Sequence, residues 1–451
     1  MPGVALSRWT MSYFAAALAS LVAAEALMAA GFGYPAAPFE APETLVLVHI
    51  ITIGWLSLLM CGALFQFVPV LVARPLYSDR LPLPTLACLV GGLIALLAGF
   101  LRMTTETGAS GAPFAIASIL LGAGFALALW NLGRTLWAAR PLPLPARFVV
   151  VGLFSLAATV LLGIVFSLTL GGLATAAHAI EVTTHGLPIH VVAGLAGWLT
   201  FSAVGVSYRL LAMFMLAPEL DGPGTRGAFY LGTAALAIAI PGGVAAICAS
   251  GNVAVSLVAA SLPGLAAAGL YGRDVVHLYR ARKRRVIELN SRMAGVALAG
   301  LGATIATGIA LLAAGAFVRH LGVVVFLVAF AWLSTLGLAK LYKIVAFVTW
   351  LECYGPVLGK TTTPRVQDLV VEGRAGKWFV LFSTAVWCGT GALAIDRPFI
   401  FRLSAAAMLI ATLGIAVHLL RTRRLANVAP TLRIPKGVQP PHLLVCRAQH
   451  P

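Results

Sequence analysis

Two histidines stand deep in apolar runs of this chain, and their setting limits the chemistry open to them. His49 lies in LVLVHIITIGWLSLLMCGALFQFVPVL, six residues before Trp55, and His190 lies in LPIHVVAGLAGWLTFSAVGVSYRLLAMF, eight before Trp198. An imidazole inside a hydrocarbon layer is costly without a partner, so each is a functional candidate by default. Neutral imidazole is the usual axial ligand of haem iron and a common copper ligand, which makes a metal or haem site the chemistry to expect. A hydrogen bond to a neighbouring helix's carbonyl is the competing explanation. His320, twelve residues before Trp332 and next to Arg319, is a further candidate ligand at the outer rim. His178 and His185, in an outer loop with Glu181, could cap such a site, whereas His277, His418, His442 and His450 read as surface. Glu25 is the other ionisable group inside an apolar run, where it must be protonated or paired, and a proton-relay role is compatible with either.

The tryptophans beside these histidines belong to a pattern that occurs three times. Trp55-Leu56-Ser57 is followed by Gly62, Phe65, Gln66 and Pro69; Trp198-Leu199-Thr200 by Gly205, Tyr208, Arg209 and Ala212; Trp332-Leu333-Ser334 by Ala339, Tyr342, Lys343 and Ala346. The copies are 143 and 134 residues apart, one per four helices. Chance rarely repeats seven typed columns at a near-constant period. The small residue at the seventh step lets another helix approach closely, and the hydroxyl two residues after Trp can bond back into its own helix. Gln66, Arg209 and Lys343 fall about 25 Å along the helix from its outer end, at the inner rim. Snorkelling toward head groups accounts for them, with a proton or ion entry as the alternative. On an ideal helix the two-residue difference between the His–Trp offsets rotates a side chain by about 200°, so His49 and His190 are not expected on strictly equivalent faces.

The elements that must position these residues follow from composition. Of 451 residues 60% are hydrophobic and 10% charged, and the mean hydropathy is +0.97, which excludes an ordinary soluble domain. Apolar runs at 12–33, 44–73, 83–101, 113–138, 147–171, 187–217, 227–249, 253–272, 293–317, 321–350, 377–395 and 400–420 predict twelve membrane helices. The expected fold is all-α and polytopic: one membrane domain over 1–425, in three pseudo-symmetric four-helix arcs (roughly 12–140, 147–275 and 291–420), then a tail over 426–451. The first run, preceded by Arg8, reads as a retained span. The net charge of +17 has a topological explanation and does not point to nucleic acid. Arg74, Arg80, Arg134, Arg140, Arg147, the run Arg280 to Arg285, and the tail residues Arg421, Arg423, Arg424, Arg433, Lys436 and Arg447 occupy alternate loops and one terminus. Residues 39–44 and 176–188 hold no Lys or Arg. The positive-inside bias therefore places both termini in the cytoplasm. Glu288, beside the most basic loop, reads as solvated surface touching head groups. Six scattered cysteines form no CxxC or CxxH pair and signal neither a zinc site nor a disulfide framework.

At these residues the chain resembles the haem-copper oxidase subunit I superfamily, in particular its divergent members and NnrS-like membrane proteins. The likeness lies in twelve spans with both termini inside, in three four-helix arcs, and in the HxxxxGW element from His49 to Trp55. It implies a haem held by His49 as an axial ligand and a copper site at His190, with Trp55 and Trp198 packed against the pocket. It further implies a role in respiratory electron transfer or nitric oxide and stress handling, in a bacterial inner membrane. Partners would be the lipid bilayer, other respiratory-complex subunits, and cytochrome c or quinol. The superfamily's histidine pairs in the seventh and tenth spans have no counterpart in 227–249 or 321–350. The usual oxygen- or nitric-oxide-reducing centre is therefore not expected, and whether the chain is an oxidoreductase stays open. Two rival readings remain: a membrane transporter, and a metal-free structural subunit of a respiratory complex.

Overall fold

The computed structural model describes residues 7–104, 111–435 and 438–446; Lys436, Arg447 and His450 lie outside the described residues. The chain is an all-α polytopic membrane protein. Among the described residues eleven helices are long and apolar enough to cross a membrane: α1 (Thr10–Ala30), α2 (Pro42–Val72), α3 (Pro82–Arg102), α4 (Ala112–Ala138), α5 (Leu144–Leu170), α6 (Leu187–Met215), α7 (Pro223–Cys248), α8 (Val253–Arg280), α9 (Leu289–Ala313), α10 (Leu321–Val357) and α12 (Pro398–Arg423). The twelfth expected span is α11 (Glu372–Ala394), which begins with Glu372, Arg374 and Lys377. Its 23 residues reach about 34 Å at 1.5 Å per residue, and it packs along α12 as a hairpin.

Helix starts follow a chemical rule that hydropathy alone does not carry. Pro42, Pro82, Pro223 and Pro398 each open a helix, because proline's fixed φ suits the first turn and its missing N–H costs nothing there. These helices therefore begin one to four residues ahead of the apolar runs at 44, 83, 227 and 400. At its other end α8 continues to Arg280, past the expected 272, through a polar stretch that holds Asp274 and His277.

Close packing divides the chain into two units, residues 67–286 and residues 1–66 with 287–451. In the first, α3 and α4 form a hairpin, α4 lies on α5, α5 on α6, and α7 on α8. In the second, α1 packs along α2 and α12, α9 along α10, and α10 also meets α12.

The repeat has a backbone signature. Each of α2, α6 and α10 widens into a π-helical stretch just ahead of or across its Trp motif: Ile50–Ser57, Val192–Phe201 and Leu327–Ser334. In the third copy Ser334 Oγ donates to Ala329 O (2.6 Å) and Thr335 Oγ1 to Phe330 O (2.8 Å), five residues back, as this wider winding requires. Wide turns of this kind occur mostly as single bulges and often at functional positions. Three of comparable length at one repeat position are a built feature of the architecture.

Candidate functional site

His49 is the last residue before the wide turn of α2, about 10 Å in from the helix start. Its Nδ1 lies 2.7 Å from Leu45 O, one turn back. A carbonyl only accepts, so Nδ1 carries the proton and Nε2 holds the lone pair. That is the arrangement in which a backbone carbonyl orients a ligating imidazole and raises its basicity. This hydrogen bond is made within the same helix, and it places the ring proton on Nδ1.

His190 stands two residues before the wide turn of α6, with its ring 5.3 Å from that of Phe166 on α5. A Cβ built on Gly163 would come 3.3 Å from His190 Cε1, so a residue with no side chain makes room for the ring. The same seam runs inward between the two helices: Gly194 faces Thr159, Gly197 faces Ser155, and Ser202 fills the space over Gly152. Small residues at this spacing bring backbones close, and the His190 ring packs on Phe166 at the outer end of the seam.

The angle between the two imidazole positions cannot follow ideal-helix arithmetic, because five or more residues between each His and its Trp wind as π rather than α. Fewer degrees per residue separate His from Trp than 100° steps imply. His320 falls elsewhere. It precedes Leu321 at the mouth of α10, seven residues ahead of the wide turn. The position taken by His49 in the first copy is held in the third by Phe326, which packs on Phe330 and Phe401 (centroids 4.8 and 5.5 Å). His178 and His185 are exposed on the short helix Ala177–His185. Among the described residues no three His, Cys, Asp or Glu side chains gather so as to hold a metal ion.

The motif tryptophans are structural in a specific way. Trp55, Trp198 and Trp332 are at most 1% exposed, and Trp55 Nε1 donates to Ser334 Oγ at 2.8 Å. That bond ties the first copy of the motif to the third. The small column also behaves as its composition suggests: Gly62 lies under Tyr13 of α1, and Gly205 under Phe148 and the Pro145 carbonyl of α5.

The polar column does more than snorkel. Gln66, 4% exposed, accepts from Ser7 N at 3.1 Å. Arg209 pairs with Glu219, and Lys343 with Glu288 at 2.7 Å. Each copy thereby fixes a segment at the arginine-rich end. Glu288 is consequently not solvated surface: its side chain is 12% exposed, because it is clamped between Lys343 and Asn290. His418, also expected at the surface, is buried, since the inner end of α12 is covered by its neighbours.

Several polar interactions are not foreshadowed by the sequence. Asp274, 7% exposed, accepts from Tyr208 Oη (3.1 Å) and Thr225 Oγ1 (2.8 Å), joining α6, α7 and α8. Lys340 sits eight residues after Trp332, where the other copies have Ala63 and Val206. Arg423 and Glu352 form an ion pair at 2.6 Å, their side chains 3% and 2% exposed. Their signal was a charge at the end of an apolar run, which reads as a rim residue until the tail is folded over it. Glu25 is fully buried. Its Oε1 accepts from Thr412 Oγ1 at 2.9 Å, while Oε2 has no hydrogen-bond partner.

Arg423 organises the inner end of its unit. Nε donates to His442 O (2.8 Å), and the other nitrogens reach Thr349 Oγ1, Val445 O and Cys446 Sγ. Cys446 N donates in turn to Arg8 O at 2.8 Å. Burial pushes the Cys446 thiol up to about 12. In the folded protein it is therefore neutral at pH 8 and should resist a maleimide that labels the denatured chain within minutes; rapid labelling of folded protein at this cysteine would show that the tail is not seated.

No protein-family model and no curated protein sequence matches this chain.

Proposed function

We propose that this chain is a haem-copper-oxidase-like membrane protein that holds haem, with copper as a second candidate metal, through His49 and His190. It serves respiratory electron transfer or nitric oxide and stress handling. The observation that carries the reading is the His49 ring: Nδ1 is engaged by Leu45 O at 2.7 Å, so Nε2 is the coordinating nitrogen. The donor set fits an axial ligand, and its placement at the mouth of a wide turn repeats at His190.

Bound haem would supply the one-electron chemistry that no side chain here performs. The chain's own part is positioning. Leu45 O fixes the ring of His49, Gly163 and Phe166 fix that of His190, and the Trp55–Ser334 bond holds the α2 and α10 motifs in register. His320, at a helix mouth, is not needed for coordination in this reading. An inner-membrane setting follows from the proposal, with other respiratory subunits and cytochrome c or quinol as exchange partners.

A visible spectrum of the detergent-purified protein tests it. Wild type should show a Soret band that disappears in His49→Ala and in His190→Ala and persists in His320→Ala, with helix content unchanged in all three. A colourless wild type loaded with haem during expression would overturn the proposal and leave a transporter or a metal-free scaffold.

A further inference from the structure

The inner end of α4 carries an assembly that the cofactor reading does not use. Residues 73–81, which follow α2, are pinned to α4 by two buried side chains. Asn131 accepts from Ser78 N and donates to Ser78 O, both at 2.9 Å, and Thr135 Oγ1 accepts from Tyr77 N at 2.9 Å. Because Asn131 and Thr135 are 0% and 2% exposed, the loop is held rigidly. The clasp sets the Tyr77 ring edge-on to Trp130, centroids 6.5 Å apart. The Arg134 guanidinium lies over both rings, at 5.1 and 5.4 Å, and Arg140 stacks on Trp137 at 3.5 Å.

Stacking holds a guanidinium in place without neutralising it. Among the described residues neither Arg134 nor Arg140 has a carboxylate partner. Segments 73–81 and 130–147 hold five arginines and one acid, the exposed Asp79. Trp130, Arg134 and Trp137 share one helix stripe at spacings of four and three. That stripe continues along α4 through exposed Ile119 and Ile116. Planar cations at the level where indole rings mark the membrane interface, above a greasy track, fit an anion attached to an acyl chain.

We propose that this assembly is a binding site for the phosphodiester headgroup of an anionic phospholipid. Arg134 and Arg140 take the phosphate oxygens, and the chains lie along Trp130 and the isoleucine stripe. Free phosphate would offer the arginines the same oxygens but would leave that stripe uncovered.

Native mass spectrometry of the delipidated full chain, titrated with phosphatidylglycerol or phosphatidylcholine, tests the site. Phosphatidylglycerol should bind more tightly, and Arg134→Gln and Arg140→Gln should each weaken it about fivefold while leaving phosphatidylcholine unchanged. Trp137→Leu keeps the charge but frees Arg140, so it should weaken phosphatidylglycerol too, whereas Arg280→Gln in the other basic loop should not. Equal affinity for the two lipids, or indifference to both arginine substitutions, would overturn the proposal. Displacement by millimolar inorganic phosphate would overturn the lipid assignment, since it would mean that the acyl chains contribute nothing. All four side chains are exposed, and an unchanged melting temperature in lipid-free detergent confirms that the variants fold.

Discussion

Arg423→Met is expected to destabilise the folded protein by about 3–5 kcal/mol, because it strands the Glu352 carboxylate in a site sealed from water. The wild-type pair is almost fully enclosed, 2.6 Å apart, and Arg423 also supplies hydrogen bonds to two tail carbonyls and to Thr349. Removing the guanidinium therefore unfastens residues 438–446 as well as leaving a charge unpaired. Removing both charges is a different experiment. In Arg423→Met with Glu352→Leu, two apolar side chains of similar volume replace the pair, and buried pairs exchanged in this way are often neutral in stability. Denaturant unfolding should show a large loss in the single variant and recovery of most of it in the double. Cys446 labelling should separate the two contributions: it should be fast in both variants, since neither retains the donors that hold the tail. A single variant as stable as wild type would mean that Glu352 gains solvent and that the pair is not enclosed. High pH acts on the same corner. The unfolded chain's thiol ionises near its ordinary value, while that of folded Cys446 does so only near 12. This contribution is intact below about pH 9 and is lost as the pH climbs through the folded value.

The helices and the repeat were readable from residue types because both rest on local periodic signals. The twelve apolar runs mark long helices among the described residues, eleven of them apolar enough to cross a membrane, and α11 was recognisable from 377–395 although its charged first turn weakens its apolar character. What periodicity misses is chemistry that depends on where another segment lands. Glu288 and Lys343 lie 55 positions apart, and Arg423 and Glu352 lie 71 apart. Each charge taken alone resembles a rim residue, and only the fold shows the partner. The π-helical stretches are a different omission. Nothing in Ile50–Ser57 forbids ordinary α winding, and the clue was the repeated hydroxyl two residues after Trp. That hydroxyl was expected to bond backward, and Ser334 does so, but to the fifth residue back. The change of one residue in this bond lowers the rotation per residue, but the two-residue difference between the His–Trp offsets still puts the two histidines on different faces. His49 shows the opposite case. Its intramembrane position was plain from sequence, but the tautomer was not, because Leu45 O becomes its acceptor only once the turn before the wide stretch is formed.

The small column of the motif gives the second large effect, and its three members should not respond alike. Gly205→Ala is expected to cost about 1–3 kcal/mol, as overpacking against an immovable neighbour does. The new Cβ would come 2.7 Å from the Pro145 carbonyl oxygen and closer still to Phe148 Cβ. Neither atom is the free end of a flexible chain, so α5 and α6 must separate. Gly62→Ala meets Tyr13 Cβ at 2.6 Å and should behave similarly at the α1–α2 contact. In the third copy the column is already Ala339, fully buried, so the methyl is accommodated there. Ala339→Gly should cost only about 0.5–1 kcal/mol, the ordinary penalty for glycine within a helix. Matched unfolding curves of the three variants decide the point. If Gly205→Ala were as mild as Ala339→Gly, the close approach of α5 and α6 would not be needed for stability. The seam that seats His190 would then have to be held by Gly152, Ser155 and Gly197 further along the same interface. If instead Gly205→Ala is costly, the same separation of helices should loosen the His190 ring from Gly163, because both contacts lie on one rigid pair of helices. A repeat column that reads as mere packing would then control the geometry of a candidate ligand more than 20 Å away along the helix.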